Sequence, residues 1–331
     1  MDSCEVKGRD ENELRRHVHA NSVDRHVIRK LLKRFSFHAL VKASALKHEV
    51  AFSIDDTIRS LDVPEEIIST LLCYLELHEK RYVECAKSFL MVVQCRLERQ
   101  QKECPPLAMA LALHKNKSGE DPNILEFPVI DVAAAMGWES GICKNKLKNL
   151  EWITVNNQSR RSSLSVQFSN LGFRLLAPGN LSDDELDAAL DTLFNRVVDQ
   201  EKKALLQLRA VHKSLMEITQ PSFRSCISTD DSLIKNKVRE YFNSSDPLVF
   251  VIEDQPKKFN EEQLISDIRA LICMYRDNTF TGRSIARIFQ GIQSPNYPAT
   301  MWGRCKFWRS YLDIDFHTIV RIATLEIIKM R

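Results

Sequence analysis

Two clusters of cations are the residues of this sequence best suited to chemistry, and the chemistry they suit is the binding of phosphates. Between Gly141 and Leu176 the chain carries Lys144, Lys146, Lys148, Arg160, Arg161 and Arg174 against one acid, Glu151. From Thr281 to Arg331 it carries eight Lys or Arg, among them Arg283, Arg287, Lys306 and Arg309, against Asp313, Asp315 and Glu326. The net charge is only +3, so the collection of positive charge into two segments, not its total, points to a phosphate-binding surface. In the second cluster, the run Arg304-Cys-Lys-Phe-Trp-Arg-Ser-Tyr311 interleaves cations with rings. That combination holds phosphates while stacking on unpaired bases, which makes Lys306, Trp308 and Arg309 candidates for single-strand contact. The same run also reads as the core of a small helical domain, with Phe307 and Trp308 packing beside Phe289, Leu312 and Phe316.

Nothing in the sequence reads as an engine. There is no GxxxxGK[ST] loop to cradle a triphosphate, no Asp-Glu-x-His run to hold magnesium, and no GxSxG, HExxH or EF-hand loop. The histidines are scattered, and His17 and His19 lie two apart, on different faces of a helix. No catalytic residue and no ATPase activity are expected of this chain; it is expected to hold a ligand. No run of about 18 apolar residues could span a membrane, and the charged start MDSCEVKGRDENELRRH is not a secretory signal. The nine Cys form no CxxC pair, which fits reduced thiols in cytosol or nucleus better than a disulfide framework.

The elements that must position the first cluster repeat. His48 to Ser53 alternates like a short strand, Ile54 to Leu61 reads as a helix, and Pro64 opens a second helix running to about Leu77. Two strand-like runs follow, Tyr82 to Ala86 and Phe89 to Leu97. The same order returns with the strand Leu125–Phe127, a helix Ile130–Met136 ending at Gly137 and a helix Ser140–Trp152. The strand Ile153–Val155, a polar turn Asn156–Ser163 and the strand Leu164–Phe168 complete it. Ile142 falls on Ile67, Leu147 on Leu72, Leu150 on Leu75 and Glu151 on Glu76. Helix, turn, helix and strands is the order of a winged helix-turn-helix, so a tandem pair is expected. It puts Lys144, Lys146 and Lys148 on the recognition helix of the second unit and Arg160 and Arg161 at the tip of its wing. The equivalent helix of the first unit carries Glu65, Glu66 and Glu76 and reads as a protein-packing helix. Ser182 with Glu185 forms a capping box for a long amphipathic helix to about Thr219. Arg283 and Arg287 share one face of a later helix, Gly282–Gln290.

The fold class expected is mainly α with small β wings: tandem winged-helix units plus a C-terminal helical region. The divisions are a helical connector at 1–47, winged-helix units at 48–104 and 105–177, a helical region at 178–243, a linker at 244–260 and a basic, aromatic helical domain at 261–331.

Several segments resemble RecQ-family DNA helicases of the Rothmund–Thomson-type branch. They are Gly282-Arg-Ser-Ile-Ala-Arg-Ile-Phe-Gln-Gly-Ile-Gln-Ser-Pro-Asn-Tyr-Pro-Ala299, Phe307-Trp-Arg-Ser-Tyr-Leu312, Leu14-Arg-Arg-His-Val-His-Ala20, Leu61-Asp-Val-Pro-Glu-Glu66, Leu71-Leu-Cys-Tyr-Leu-Glu-Leu-His78 and Met136-Gly-Trp-Glu139. The resemblance implies a nuclear, ATP-dependent, 3′-to-5′ DNA helicase acting in replication, repair and recombination. It implies that Met1 falls near the end of the second motor lobe, so that ATP and magnesium belong to motor domains outside this chain. DNA, those motor domains in cis, and replication and repair proteins are then the expected partners. The resemblance also implies a zinc-containing winged-helix module, and here the chain departs from it. Phe35 to Lys47 contains no Cys; His78 keeps its place, but Cys85, Cys95 and Cys104 match no known finger, and a structural zinc takes about four ligands. No metal and no cofactor are expected in this chain. The competing expectation is a winged-helix protein-interaction scaffold that does not touch DNA.

Overall fold

The structure is a computed structural model and describes residues 3–36, 48–96, 104–118, 124–155, 158–162, 165–178, 181–217, 232–243 and 259–330. Residues 37–47 of the expected connector at 1–47, and most of the linker at 244–260, lie outside those residues. The chain divides into two compact units, His26–Leu193 and Met1–Arg25 with Phe194–Arg331. Among the described residues both are mainly helical, with strands confined to the first. Among the described residues no helix is long and apolar enough to cross a membrane.

After α1 (Ser3–Ala20) and α2 (Arg25–Ser36), the chain enters β1 (His48–Ser53). Ser53 caps α3 (Ile54–Leu61): its hydroxyl accepts from the Asp56 N–H at 3.2 Å. Asp62, in the left-handed region at φ 51°, ends that helix. Pro64 is the N-cap of α4 (Glu65–Glu76), where its missing N–H leaves no helical hydrogen bond unmade. The two strand runs expected next are one strand, β2 (Glu84–Arg96), and the break between them is a bulge at Ala86/Phe89. The second repeat follows: α5 (Pro105–Ser118), β3 (Ile124–Pro128), α6 (Val129–Met136) with Gly137 as its left-handed cap, α7 (Ser140–Asn149), β4 (Trp152–Val155), β5 (Gln158–Arg161) and β6 (Val166–Ala177). α7 stops at Asn149, three residues before the expected end, because Trp152 already belongs to β4.

Both helix-turn-helix pairs are present, α3–α4 and α6–α7, but they do not head separate domains. Four strands form one antiparallel sheet in the order β1-β6-β2-β3. β6, the last strand of the second repeat, pairs with both strands of the first: His48–Ser53 against Ala177–Gly172 on one side, and β2 on the other. The expected boundary between 48–104 and 105–177 is therefore corrected to a single shared sheet. Two short strands bury too little to stand alone, whereas β6 is 12 residues long and reaches across both. Gly172 permits the close approach, since a Cβ there would lie 2.8 Å from the Phe52 carbonyl oxygen and 2.1 Å from Met91 Sδ. One core crosses the repeats, with Val93 and Cys95 of β2 packed among Leu107, Leu125, Val129, Cys143 and Leu147. Leu147 and Leu72 are both buried, as their alignment predicts, but Ile142 is 49% exposed and is not the counterpart of a core residue.

α8 (Asp183–Glu217) opens on the expected capping box, Ser182 N–H to Glu185 Oε2 at 3.0 Å and Glu185 N–H to Ser182 Oγ at 3.2 Å. Its residues to Leu193 belong to the first unit and the rest to the second. The second unit continues with α9 (Ser232–Asn243), α10 (Glu261–Met274), α11 (Gly282–Gln290), α12 (Ala299–Trp302) and α13 (Phe316–Met330). Every residue of α11 is buried. The helix sits in a core of Leu264, Ile268, Phe289, Phe307, Phe316 and Ile319. Gly282 lets α11 cross α13 closely: a Cβ there would meet the Val320 carbonyl oxygen at 2.5 Å and Thr324 Oγ1 at 2.1 Å.

Candidate nucleic-acid interface

α7 is the helix that the sequence reading expects to face DNA, and its start is tied to β1. Glu49 accepts from the Ser140 N–H at 2.9 Å and from the Ser140 hydroxyl at 2.7 Å. A carboxylate at this end of a helix also meets its positive dipole end. Arg174 on β6 donates to the other side of the same interaction, through Glu49 Oε1. Arg174, one of the clustered cations of the sequence, is thus engaged in holding α7. Cys143 and Leu147 face the core, leaving Ile142, Asn145, Lys146, Lys148 and Asn149 exposed. Lys144 is half-buried with its ammonium 5.3 Å from the Phe168 ring centre. Burial, and then the neighbouring Lys148, lower its pKa.

The strands β4 and β5, expected as the wing, pair antiparallel in a two-stranded sheet of their own. Its register pairs Trp152 with Arg161, Ile153 with Arg160 and Val155 with Gln158. Arg160 and Arg161 are exposed, but they lie at the end of the ladder away from the Val155/Gln158 pair, not at the expected wing tip. Within the polar segment read as turn from Asn156 to Ser163, Gln158–Arg161 is strand, which moves both cations toward α7. Ser162 fastens that end of the hairpin. Its N–H donates to the Glu151 carbonyl at 2.7 Å and its hydroxyl to the Leu150 carbonyl at 2.6 Å. Glu151 Oε1 also accepts from the Val166 N–H at 3.1 Å. Arg161 is thereby tied, through its neighbour Ser162, to the two residues that follow α7. Trp152 stays 56% exposed beside it.

The C-terminal candidates are placed differently. Arg283 and Arg287 do share a helix face, but it is the inner one, and they are 2% and 1% exposed. The Arg287 guanidinium donates to the Ala20 carbonyl at 2.9 Å and the Ser22 carbonyl at 3.2 Å; Arg283 donates to the Ser22 carbonyl at 3.4 Å and lies 3.6 Å from Asp24. These two are corrected from surface cations to internal clamps on the end of α1, because carbonyls left bare where α1 stops need buried donors. Arg309, exposed, pairs with Glu13 on α1. Arg16 pairs with Glu13 and donates to the Gly291 carbonyl. Lys306 is exposed, its ammonium 4.7 Å from the Phe307 ring centre. Phe307 is core, and Trp308 is half-buried against the same core. Of this set, Lys306 keeps a face open to a ligand.

A third cationic surface went unread in the sequence. A groove of about 440 Å³ is lined by Lys30, Lys33, Arg34, Ala51, Phe52, Ser60 and Leu61. Arg34 lies 5.9 Å from the Phe52 ring centre and donates to Ser60 Oγ at 2.6 Å. The signal was present as the polar face of α2, which reads as solvated until β1 and α3 wall it in.

For thiolate metal binding, His78 accepts from the Lys80 N–H at 3.1 Å and meets the Tyr82 ring. Cys95, Cys104 and Cys143 are buried, and burial raises all three thiols, that of Cys95 to about 12. The Cys85 side chain lies outside the described residues.

No family model matches the chain. The chain is similar to ATP-dependent DNA helicase Q4 of Mus musculus, 32% identical over 370 residues that cover 97% of this chain and 30% of that protein. It is 30% identical to ATP-dependent DNA helicase Q4 of Homo sapiens over 388 residues, 98% of this chain and 32% of that protein. With ATP-dependent DNA helicase Q-like 5 of Arabidopsis thaliana it shares 22% identity over 324 residues, 95% of this chain and 33% of that protein. The chain spans about a third of the length of these relatives, and the match lies in their C-terminal part. By that similarity, which runs through both units, the chain belongs to the RecQ helicase family.

Proposed function

We propose that this chain is the DNA-binding, motor-coupling C-terminal module of a RecQ-type, ATP-dependent, 3′-to-5′ DNA helicase that works in the nucleus in replication, repair and recombination. The observation that carries the DNA reading is α7 and its wing. Lys146 and Lys148 are exposed on a helix pinned at its start by Glu49, and Arg160 and Arg161 are exposed on a strand fastened to its end. Cations on rigid elements contact the phosphate backbone at fixed register. Ile142, exposed on the same helix, suits the apolar part of a groove, where thymine methyl groups lie. Coupling rests on the grip that Arg283, Arg287 and Arg309 place on α1, and on Arg16 of α1 donating to the Gly291 carbonyl; the family resemblance puts α1 beside the second motor lobe. ATP and magnesium belong to the motor, and replication and repair proteins are the further partners of the whole helicase.

The second reading is a protein-interaction scaffold. Trp138, Ile142 and Trp152 are exposed in the second repeat, and α4 begins with the exposed acids Glu65 and Glu66. Duplex affinity measured at several salt concentrations separates the two. A module that neutralises four phosphates loses affinity with a log–log slope of about −3 to −4, whereas a scaffold shows no specific duplex binding whose slope depends on these residues.

A further inference from the structure

Three helices of the unit Met1–Arg25 with Phe194–Arg331 meet at one carboxylate. Glu201 of α8 is 11% exposed, and its Oε1 lies 3.2 Å from Nδ1 of His19, in the last turn of α1, and 2.5 Å from Nε2 of His317, in the first turn of α13. The three ligand atoms lie within 4.8 Å of one another. His19 is 3% exposed and His317 59%, so the group has a closed side and an open side. The rings are held by packing. His19 stacks on Phe316 at 4.8 Å with an 11° interplanar angle, and His317 meets His19 edge to face at 5.9 Å.

We propose that His19, Glu201 and His317 bind one divalent first-row transition ion, zinc foremost, with water completing the coordination. Two imidazole nitrogens and one carboxylate oxygen form the ligand set that such ions prefer. Magnesium and calcium are the wrong class, since they take oxygen ligands throughout. The spacing fits. Around a tetrahedral ion with bonds of about 2.0–2.2 Å, ligand atoms stand about 3.3 Å apart. His19 and Glu201 already have that separation. His317 has to back away from Glu201 by less than about 1 Å and come nearer His19, from which it stands up to 4.8 Å, by up to about 1.5 Å; its side chain is 59% exposed, which leaves the ring free to turn.

Sequence spacing hides this group, because Glu201 is 182 residues from His19 and 116 from His317. It contains no thiolate and is separate from the position of His78. Its effect is a cross-link of α1, α8 and α13, in addition to the arginine clamps.

Cobalt titration of the 331-residue chain, stripped with chelator and kept reduced with a phosphine, tests the proposal. Cobalt bound by nitrogen and oxygen gives weak visible d–d bands; cobalt bound by any of the nine Cys adds intense near-ultraviolet thiolate charge transfer. The expected result is one cobalt per chain with d–d bands alone, displaced by zinc. His317→Ala, a surface substitution that leaves the fold intact by circular dichroism, should weaken binding at least tenfold. Zinc at about a hundredfold excess over its Kd should raise the unfolding temperature by roughly 5–10 °C, and that rise should vanish in His317→Ala. Absence of stoichiometric cobalt, a spectrum dominated by thiolate charge transfer, or an affinity unchanged by His317→Ala would each overturn the proposal.

Discussion

Glu49 on β1 accepts two hydrogen bonds from Ser140, the first residue of α7, one from the backbone N–H and one from the hydroxyl. A strand of the first repeat thus sets the helix that carries the candidate cations of the second. Shared by Arg174 as well, Glu49 holds three donors that would otherwise face each other half-buried.

Glu49→Ala should therefore destabilise the unit His26–Leu193 by about 2–3 kcal/mol, the usual size for losing charge-assisted hydrogen bonds. A double-mutant cycle with Ser140→Ala, followed by urea unfolding, measures the part that belongs to this pair. A coupling near zero would show that the Ser140 hydroxyl adds nothing to the hold of Glu49 on α7.

Arg287→Ala should destabilise the other unit by about 3 kcal/mol or more, because it strips the Ala20 and Ser22 carbonyls of a buried donor and leaves a void. Thermal unfolding reads the loss. The duplex salt slope of the folded fraction should stay at the wild-type value. A stable Arg287→Ala chain with a reduced slope would return this residue to the DNA surface.

How much of this was legible beforehand differs by the range of the interaction. α11 lies at the bounds that periodicity predicts, and the Ser182–Glu185 capping box and the Gly137 cap are where local chemistry puts them. The helix-turn-helix repeat was equally plain. What sequence patterning leaves open is pairing at a distance. β6 joins β1 across more than a hundred residues, and no local pattern distinguishes that from two separate wings. Arg283 and Arg287 are four apart on one face, a spacing that serves a phosphate surface or a buried clamp equally well. The choice is made by the carbonyls of Ala20 and Ser22, more than 260 residues away. The wing arginines were misplaced for a smaller reason: a Gln-Ser-Arg-Arg run looks like turn but pairs as strand.

Gly282→Ala should cost about 1–3 kcal/mol, the range for overpacking, because the added Cβ meets the backbone oxygen of Val320, which cannot rotate away. Denaturant midpoints compare it with wild type. A change below about 0.5 kcal/mol would mean that α11 and α13 separate easily.

Thiol chemistry tests the core of the sheet unit. At pH 8 an alkylating reagent should label Cys73 and Cys273, which are exposed, well before Cys95, Cys104 and Cys143. With its pKa pushed up to about 12, Cys95 is almost wholly protonated at that pH, and the thiolate is the reactive form. Peptide mapping with time gives the order. Early labelling of Cys95 or Cys143 in the folded chain would contradict the shared core.

The salt dependence of duplex binding by Lys146→Ala, Lys148→Ala, Arg160→Ala and Arg161→Ala combined tests the central claim most directly. Each cation that neutralises a phosphate contributes about 0.9 to the log–log slope. If all four do so, their replacement lowers the slope by roughly 3–4, with affinity falling about evenly across DNA sequences and the fold unchanged by circular dichroism. A variant that keeps both the wild-type affinity and the wild-type slope would contradict the account and leave α7 and its wing as a surface for protein.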